Sequence, residues 1–138
     1  MHNLKKGQVS IEYLIIAGFV VFLVISTLGV AMIYSNQIKD KIKFNQLENF
    51  ANKVISSAEG VYYAGEPSQS TVQAYLPSGI QTAQVLSDQI VFYVTTSNGL
   101  TKISYASNVP LQGNLTTSEG IKIITIIAQT NNVILDSS

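Results

Sequence analysis

Few side chains of this 138-residue sequence suit a reactive centre, and the most informative ones stand near its beginning. Lys5 and Lys6 precede Gly7, and a single carboxylate, Glu12, stands at the start of a long apolar run. Glycine leaves the backbone unhindered, and a cut at Gly7 would fall before the apolar run. A secretory signal is cut after its apolar core, whereas this cut would keep the core on the mature chain. The apolar run is therefore predicted to be a working part, either a membrane span or an assembly helix.

Glu12 is the second group with predicted chemistry. A carboxylate in apolar surroundings is costly unless it finds a partner. In a helix Glu12 lies one turn from Gln8, so an amine released at Gln8 would be a natural cation for it. The alternative is that Glu12 complements the positive end of the helix dipole or lies at the level of the lipid headgroups.

The rest of the composition argues against most enzyme classes. The chain has no Cys, Arg or Trp, and its one histidine is His2 in the predicted leader. These absences disfavour a zinc site, a nucleophile paired with histidine and an arginine clamp on phosphate. The net charge is zero, and the only basic groupings are Lys5-Lys6 and the lysines between 39 and 43. We therefore expect no enzyme activity, no metal, no cofactor and no nucleic-acid partner.

The apolar run occupies residues 13–38 without a charge or a proline. Its first 22 residues exceed the roughly 20 that a helix needs to cross a hydrocarbon core. Lysines on the N-terminal side predict that this end stays in the cytoplasm. Two fates remain open for the helix, a permanent anchor in lipid or a place among other apolar helices, because both surroundings are comparably apolar.

Helical periodicity continues beyond the apolar run but becomes amphipathic. The predicted apolar stripe consists of Phe44, Leu47, Ala51, Val54 and Ala58, with Ile42, Phe50 and Ile55 beside it. Charged residues occupy much of the remaining surface, as in a helix with one buried face. We expect one helix over residues 8–59, with Gly60 as its stop.

The sequence from Val61 onwards is typical of β-structure. The predicted strands are Thr71–Leu76, Gln89–Thr96, Leu100–Ala106, Ile121–Ala128 and Val133–Leu135. Asn98-Gly99 suits a tight hairpin turn, because both residues tolerate positive φ, and Val133–Leu135 is expected to pair back onto the preceding strand across Asn131-Asn132. The predicted fold class is α+β, with a long N-terminal helix packed by a small antiparallel β head. The predicted divisions are a leader at 1–7, the helix at 8–59 and the head at 60–138.

The stretch from Lys5 to Leu14 resembles the class III signal peptide of archaeal type IV pilins. In that family a basic leader ends in Gly and is followed by Gln-x-Ser-x-Glu-Tyr and a hydrophobic segment. Here the motif positions are Gln8, Ser10, Glu12 and Tyr13. Ser10 suits either a cap or a recognition residue for the peptidase, and Tyr13 equally suits an interfacial anchor.

The resemblance implies a function and a set of partners. A membrane-embedded prepilin peptidase would cut after Gly7, and Glu12 would pair with the Gln8 amine within a subunit or between neighbours. An assembly ATPase and a membrane platform would then stack identical subunits into an adhesive helical pilus. The precursor would lie in the cytoplasmic membrane with its N-terminus inside, and the polymer on the cell surface.

Three alternatives and two lesser features stay open. The alternatives are a minor pilin or secretion-type pseudopilin, an uncleaved membrane-anchored binding domain and, fitting less well, a flagellar-type filament protein. Asn114-Leu115-Thr116 is the only N-glycosylation sequon and makes Asn114 a possible modification site. Four tyrosines are expected to pack in the domain rather than bind a surface: Tyr62, Tyr63, Tyr75 and Tyr105.

Overall fold

The computed structural model describes the backbone of residues 3–137 and the side chains of residues 10–137. It contains one helix, α1 (Asn3–Ala64), followed by seven strands within the described residues. These strands are β1 (Gln69–Leu76), β2 (Ile80–Val85), β3 (Gln89–Thr96), β4 (Gly99–Ala106), β5 (Leu111–Asn114), β6 (Gly120–Ala128) and β7 (Val133–Ser137). The predicted α+β class, a long helix with a small β domain, is confirmed.

The chain divides into two compact units between Ile38 and Lys39. The first unit is the apolar part of α1. The second holds the remainder of α1 and all seven strands, so the globular unit begins inside the helix and not at its end. The amphipathic turns of α1 therefore belong to the head.

The strands of the second unit form two sheets. One has the order β1-β6-β7-β5 and the other β2-β3-β4. The backbone N–H of Leu111 donates to the carbonyl of Ser87 at 3.0 Å, which joins the start of β5 to the loop after β2. All strand pairs are antiparallel except β5 with β7, which are parallel. The head is thus mixed in pairing, where the sequence predicted an antiparallel sheet.

The core lies between α1 and the inner faces of both sheets. Leu47, Ala51, Val54 and Ala58 of the predicted stripe are fully buried. Phe50 meets Phe92 of β3 edge-on, with ring centroids 6.1 Å apart. On β1, alternate side chains point inward as predicted, and they are Val72, Ala74 and Leu76. The alternating inward residues of the strands and the apolar stripe of the helix therefore pack into one apolar core.

Ile42 is the exception in the predicted stripe, with 51% of its surface exposed. The first contacts that α1 makes with the sheet in this unit are polar. Asp40 accepts hydrogen bonds from Ser97, and Lys43 donates to the carbonyl of Thr95. Apolar burial of the helix therefore begins at Phe44, one turn later than Asp40.

The end of α1 lies beyond the predicted stop at Gly60. Val61 is buried in the core, so the helix gains packing by continuing past the glycine to Ala64. Gly65 has φ 84° and its N–H donates to the carbonyls of Val61 and Tyr62. Gly65 therefore takes the left-handed position that ends many helices.

The β3–β4 hairpin forms as predicted, but its turn differs from the prediction. The turn residues are Ser97 and Asn98, and Thr96 pairs with Gly99. Gly99 has a positive φ of 112° and already belongs to β4, whereas Asn98 lies in the turn without a positive φ. Strands β2 and β5 were not predicted, because Ile80–Val85 alternates weakly and Leu111–Asn114 is only four residues with one apolar side chain.

Candidate functional site

The apolar segment of α1 is the most unusual surface of the described residues. Its most apolar 18-residue window has no buried residue, and the helix is long and apolar enough to cross a membrane. Large side chains such as Ile15, Phe19 and Phe22 are each more than 60% exposed. Monomeric soluble proteins rarely expose an apolar area of this extent. The segment therefore needs an apolar environment from outside the chain.

The two hydroxyls in the middle of this segment, those of Ser26 and Thr27, are satisfied by the helix itself. The Ser26 hydroxyl donates to the Phe22 carbonyl at 2.8 Å, and the Thr27 hydroxyl donates to the Val24 carbonyl at 2.9 Å. A hydroxyl that bonds to its own helix needs no water or partner. Neither residue therefore opposes burial of the segment in lipid or among other helices.

Tyr13 and Tyr34 stand at the two ends of the first 22 residues of this segment, residues 13–34, and both rings are exposed. At 1.5 Å per residue the helix rises about 31 Å from one to the other. A typical hydrocarbon core is about 30 Å thick, and tyrosines are enriched at both of its interfaces. The spacing of the two rings therefore matches a membrane span.

The predicted processing motif lies partly outside the residues whose side chains are described. The predictions for Lys5, Lys6, Gly7 and Gln8 lie outside the residues whose side chains are described. Ser10, Glu12 and Tyr13 are described, and all three are exposed on α1. The Glu12 carboxylate has no ion-pair partner among residues 10–137. The cut after Gly7 and the pairing of Glu12 with an amine at Gln8 stay predictions.

A polar clamp fixes the start of the head's helix to the β3–β4 turn. Both the N–H and the hydroxyl of Ser97 donate to Asp40 Oδ2. Lys43 Nζ donates to the Thr95 carbonyl at 2.8 Å, and the Thr95 N–H donates to the Gly79 carbonyl. The hydrogen bonds from Ser97 lower the pKa of Asp40, with a smaller contribution from the charge of Lys43. The clamp ties two turns of the sheet to α1 just after the apolar segment.

Asn114 lies at the end of β5 with its side chain exposed. Leu115 is buried, and the Thr116 N–H donates to the Ser137 hydroxyl at 2.8 Å. The sequon is therefore accessible at the asparagine but held by the fold at its other two positions.

The tyrosines fall into two groups. Tyr62 and Tyr105 pack against the core, as predicted. Tyr63 and Tyr75 are exposed, and the Tyr75 hydroxyl donates to Glu119 Oε1 at 3.0 Å. The expectation of packing is therefore wrong for Tyr63 in the last turn of α1 and for Tyr75 on β1.

Sequence reasoning missed a second polar cluster. Glu66 follows α1, and the Thr130 hydroxyl from the β6–β7 turn donates to its Oε2 at 2.7 Å. Gln129, Asn131 and Asn132 complete the lining of an open depression of about 370 Å³. No local motif marks this cluster, because its members come from segments more than 60 residues apart.

Within the described residues, no group of three or more His, Cys, Asp or Glu side chains is placed to hold a metal ion. Comparison of the chain with protein-family models, with curated proteins and with solved structures finds no match.

Proposed function

We propose that this chain is the precursor of a structural subunit of an archaeal type IV-like adhesive pilus. It is cut after Gly7 by a prepilin peptidase and polymerises through its N-terminal apolar helix. The observation that carries the proposal is a processing-type motif directly before a helical segment whose side chains are exposed and apolar on every side.

The free energy of burying its side chains supports a location of the apolar segment away from water. Full burial of one Leu, Ile, Val or Phe side chain stabilises by about 1.5–3 kcal/mol relative to exposure. Residues 13–34 contain more than a dozen such side chains, so the free energy of leaving them in water is prohibitive. Lipid tails and neighbouring apolar helices satisfy the segment about equally, which lets it move from bilayer to polymer.

Charge gives a physical reason for coupling processing to assembly. The cut removes Lys5 and Lys6, which hold the precursor at the cytoplasmic face. It also creates an amine at Gln8, one helical turn from Glu12. Pairing of this amine with Glu12, in the same subunit or in a neighbour, neutralises the one carboxylate at the start of the apolar segment.

The membrane location follows from the same features. The precursor lies in the cytoplasmic membrane with its N-terminus inside, and the head lies outside the cell. The assembled form is a surface filament built with an assembly ATPase and a membrane platform. Its heads present the surfaces that attach the cell.

Intact-mass measurement of the protein from its native membranes tests the proposal. The expected mature chain begins at Gln8. Gly7→Val should block the cut, whereas Gly18→Val, a matched change inside the apolar segment, should leave it unaffected. A mature protein that retains Met1 contradicts the pilin proposal.

One alternative has structural support of its own. The head is a compact unit from Lys39 onwards and the helix before it is long enough to span a membrane. An uncleaved membrane-anchored binding domain needs nothing more, and the same mass measurement separates the two. A minor pilin or pseudopilin would be processed in the same way but would be scarce in purified filaments.

A further inference from the structure

One end of the head collects loops that are distant in sequence. α1 ends there at Ala64, and the register of the sheet brings the start of β1 beside the end of β6 and the start of β5 beside the start of β7. The side chains at this end that form the depression are Glu66, Gln129, Thr130, Asn131 and Asn132. We call this surface the amide pole. The opposite end carries the clamp of Asp40 and Ser97.

The amide pole is built from amides and a hydroxyl, which both donate and accept hydrogen bonds, and from one carboxylate, which accepts them. The Thr130 hydroxyl is held by Glu66, and Asn132 Nδ2 donates to Gln112 Oε1 at 2.6 Å. The turn itself is closed by the Gln129 N–H, which donates to the Asn132 carbonyl. Within the described residues, the side-chain amides of Gln129 and Asn131 have no hydrogen-bond partner and are exposed. Each of these two amides offers two donors and one acceptor oxygen to a ligand.

An aromatic ring stands at the same end of the head. Tyr63 lies in the last turn of α1, three residues before Glu66, and is 73% exposed. Its ring meets that of Tyr62 edge-on at 5.8 Å, and Tyr62 packs against the core. A tyrosine side chain has only two torsion angles, so the exposed ring of Tyr63 orders on a ligand at low cost in conformational entropy.

Charge at the amide pole selects against anions. Glu66 is acidic, and Glu59 accepts hydrogen bonds from Asn108 near the same end of α1. The described lysines lie elsewhere, on α1 no later than Lys53, in β4 and near the start of β6. A phosphate, sulfate or sialic acid would meet a carboxylate without a compensating cation.

From these observations we infer that the amide pole binds a neutral glycan. Sugar hydroxyls donate and accept at once, which matches primary amides, a carboxylate and a threonine hydroxyl, while a sugar ring has an apolar face that stacks on Tyr63. This inference rests on the proposed function, because the role that it gives the amide pole is attachment of the cell to carbohydrate surfaces.

The test uses the full-length protein in detergent micelles on an array of uncharged glucose, mannose, galactose and N-acetylglucosamine oligomers, with sialylated and sulfated counterparts. Binding to at least one neutral series is expected, and weaker binding to the anionic counterparts. Asn131→Ala should weaken binding roughly three- to tenfold, as expected for loss of a hydrogen bond between neutral groups. Tyr63→Ala should weaken it further, and Tyr63→Phe should retain most of it.

The matched control is Asn98→Ala, which removes an exposed turn amide at the opposite end of the head and should leave binding unchanged. Circular dichroism of every variant verifies that the β head stays folded. The inference is overturned if no neutral glycan binds at millimolar concentration, if anionic glycans bind more tightly, or if Asn131→Ala and Asn98→Ala behave alike.

Failure of this inference is distinguishable from failure of the pilin proposal. A chain that begins at Gln8 but binds no neutral glycan keeps the pilin assignment and loses the site. A chain that binds through Tyr63 and Asn131 but retains Met1 keeps the site and becomes an anchored glycan-binding domain.

Discussion

Gly113 is the position at which one methyl group should cost this protein the most. A Cβ added there would lie 2.0 Å from the backbone oxygen of Leu135, far inside any contact that real Cβ atoms make. The neighbour is backbone, so no side-chain movement relieves the overlap. Gly113 also has φ 129°, which L-residues rarely adopt. Gly113→Ala therefore requires β5 to separate from β7.

The expected loss of unfolding free energy follows from the buried side chains that β5 holds in place. Its parallel pairing with β7 runs from Leu111↔Val133 to Asn114↔Asp136. Leu111 and Leu115, at the start of β5 and just after it, are both buried. Exposing two leucines costs about 3–6 kcal/mol, at about 1.5–3 kcal/mol each. A domain of ordinary stability, about 5–15 kcal/mol, would lose a large part of its free energy of unfolding.

Two other glycines provide controls with the same chemical change. Gly99→Ala has the strain of φ 112° but no heavy atom within 4 Å of the new Cβ, so about 1–3 kcal/mol is expected. Gly60→Ala lies on the helix in open space and should stabilise by about 0.5–1 kcal/mol. The expected order of stability is Gly60→Ala, wild type, Gly99→Ala, Gly113→Ala.

Urea titration of the full-length chain in micelles, followed by the circular dichroism of the β head, measures these differences from the midpoints at constant slope. If Gly113→Ala loses no more stability than Gly99→Ala, the close approach of Gly113 to the Leu135 backbone is not the main cause of the loss of stability. An unchanged midpoint for both variants would refute the strain argument as well.

Three further predictions concern the core, the clamp and the motif. Phe50→Ala should cost about 3–5 kcal/mol in the same urea titration, and the exposed Ile42→Ala less than about 0.5 kcal/mol, so equal losses would contradict the assigned core. Because hydrogen bonds from Ser97 lower the pKa of Asp40 in the folded state, their stabilisation is present above the unfolded pKa and is lost as pH falls through the folded pKa. The protection of amides at the β3–β4 turn, each exchange rate being referred to the intrinsic rate at the same pH, should therefore fall in acid for wild type and be low at every pH for Asp40→Ala; equal protection in the two proteins would rule out the clamp. Glu12→Ala should still insert and be processed but fail to appear in purified filaments; normal filaments would remove the proposed charge pairing.

The sequence pattern predicted a helix or strand correctly wherever its buried residues follow a single periodicity. The alternation of Val72, Ala74 and Leu76 located β1, and the β-branched run Gln89–Thr96 was predicted with its observed bounds. The stripe from Leu47 to Ala58 predicted the buried face of α1. In these cases each residue's burial depends on its own position in a helix or strand, so neighbours along the chain carry the signal.

Several features depend on contacts between residues far apart in sequence. Gly60 looked like a helix stop, but burial of Val61 carries α1 on to Gly65. The turn of β3–β4 is set partly by Asp40, which is 57 residues from Ser97. In both cases a tertiary contact outweighs a weak local preference.

Patterning along the chain is enough to predict the long helix, its apolar first half, most of the strands and the processing-type motif at Gly7 and Gln8. The parallel pairing of β5 with β7, and with it the need for glycine at position 113 beside Leu135, is visible in the folded structure alone. The fold also brings Glu66 and Thr130, which are 64 residues apart in sequence, together near the end of α1. The physical reason is that periodicity reports which face of an element is buried, whereas strand order and loop contacts depend on how distant elements pack together.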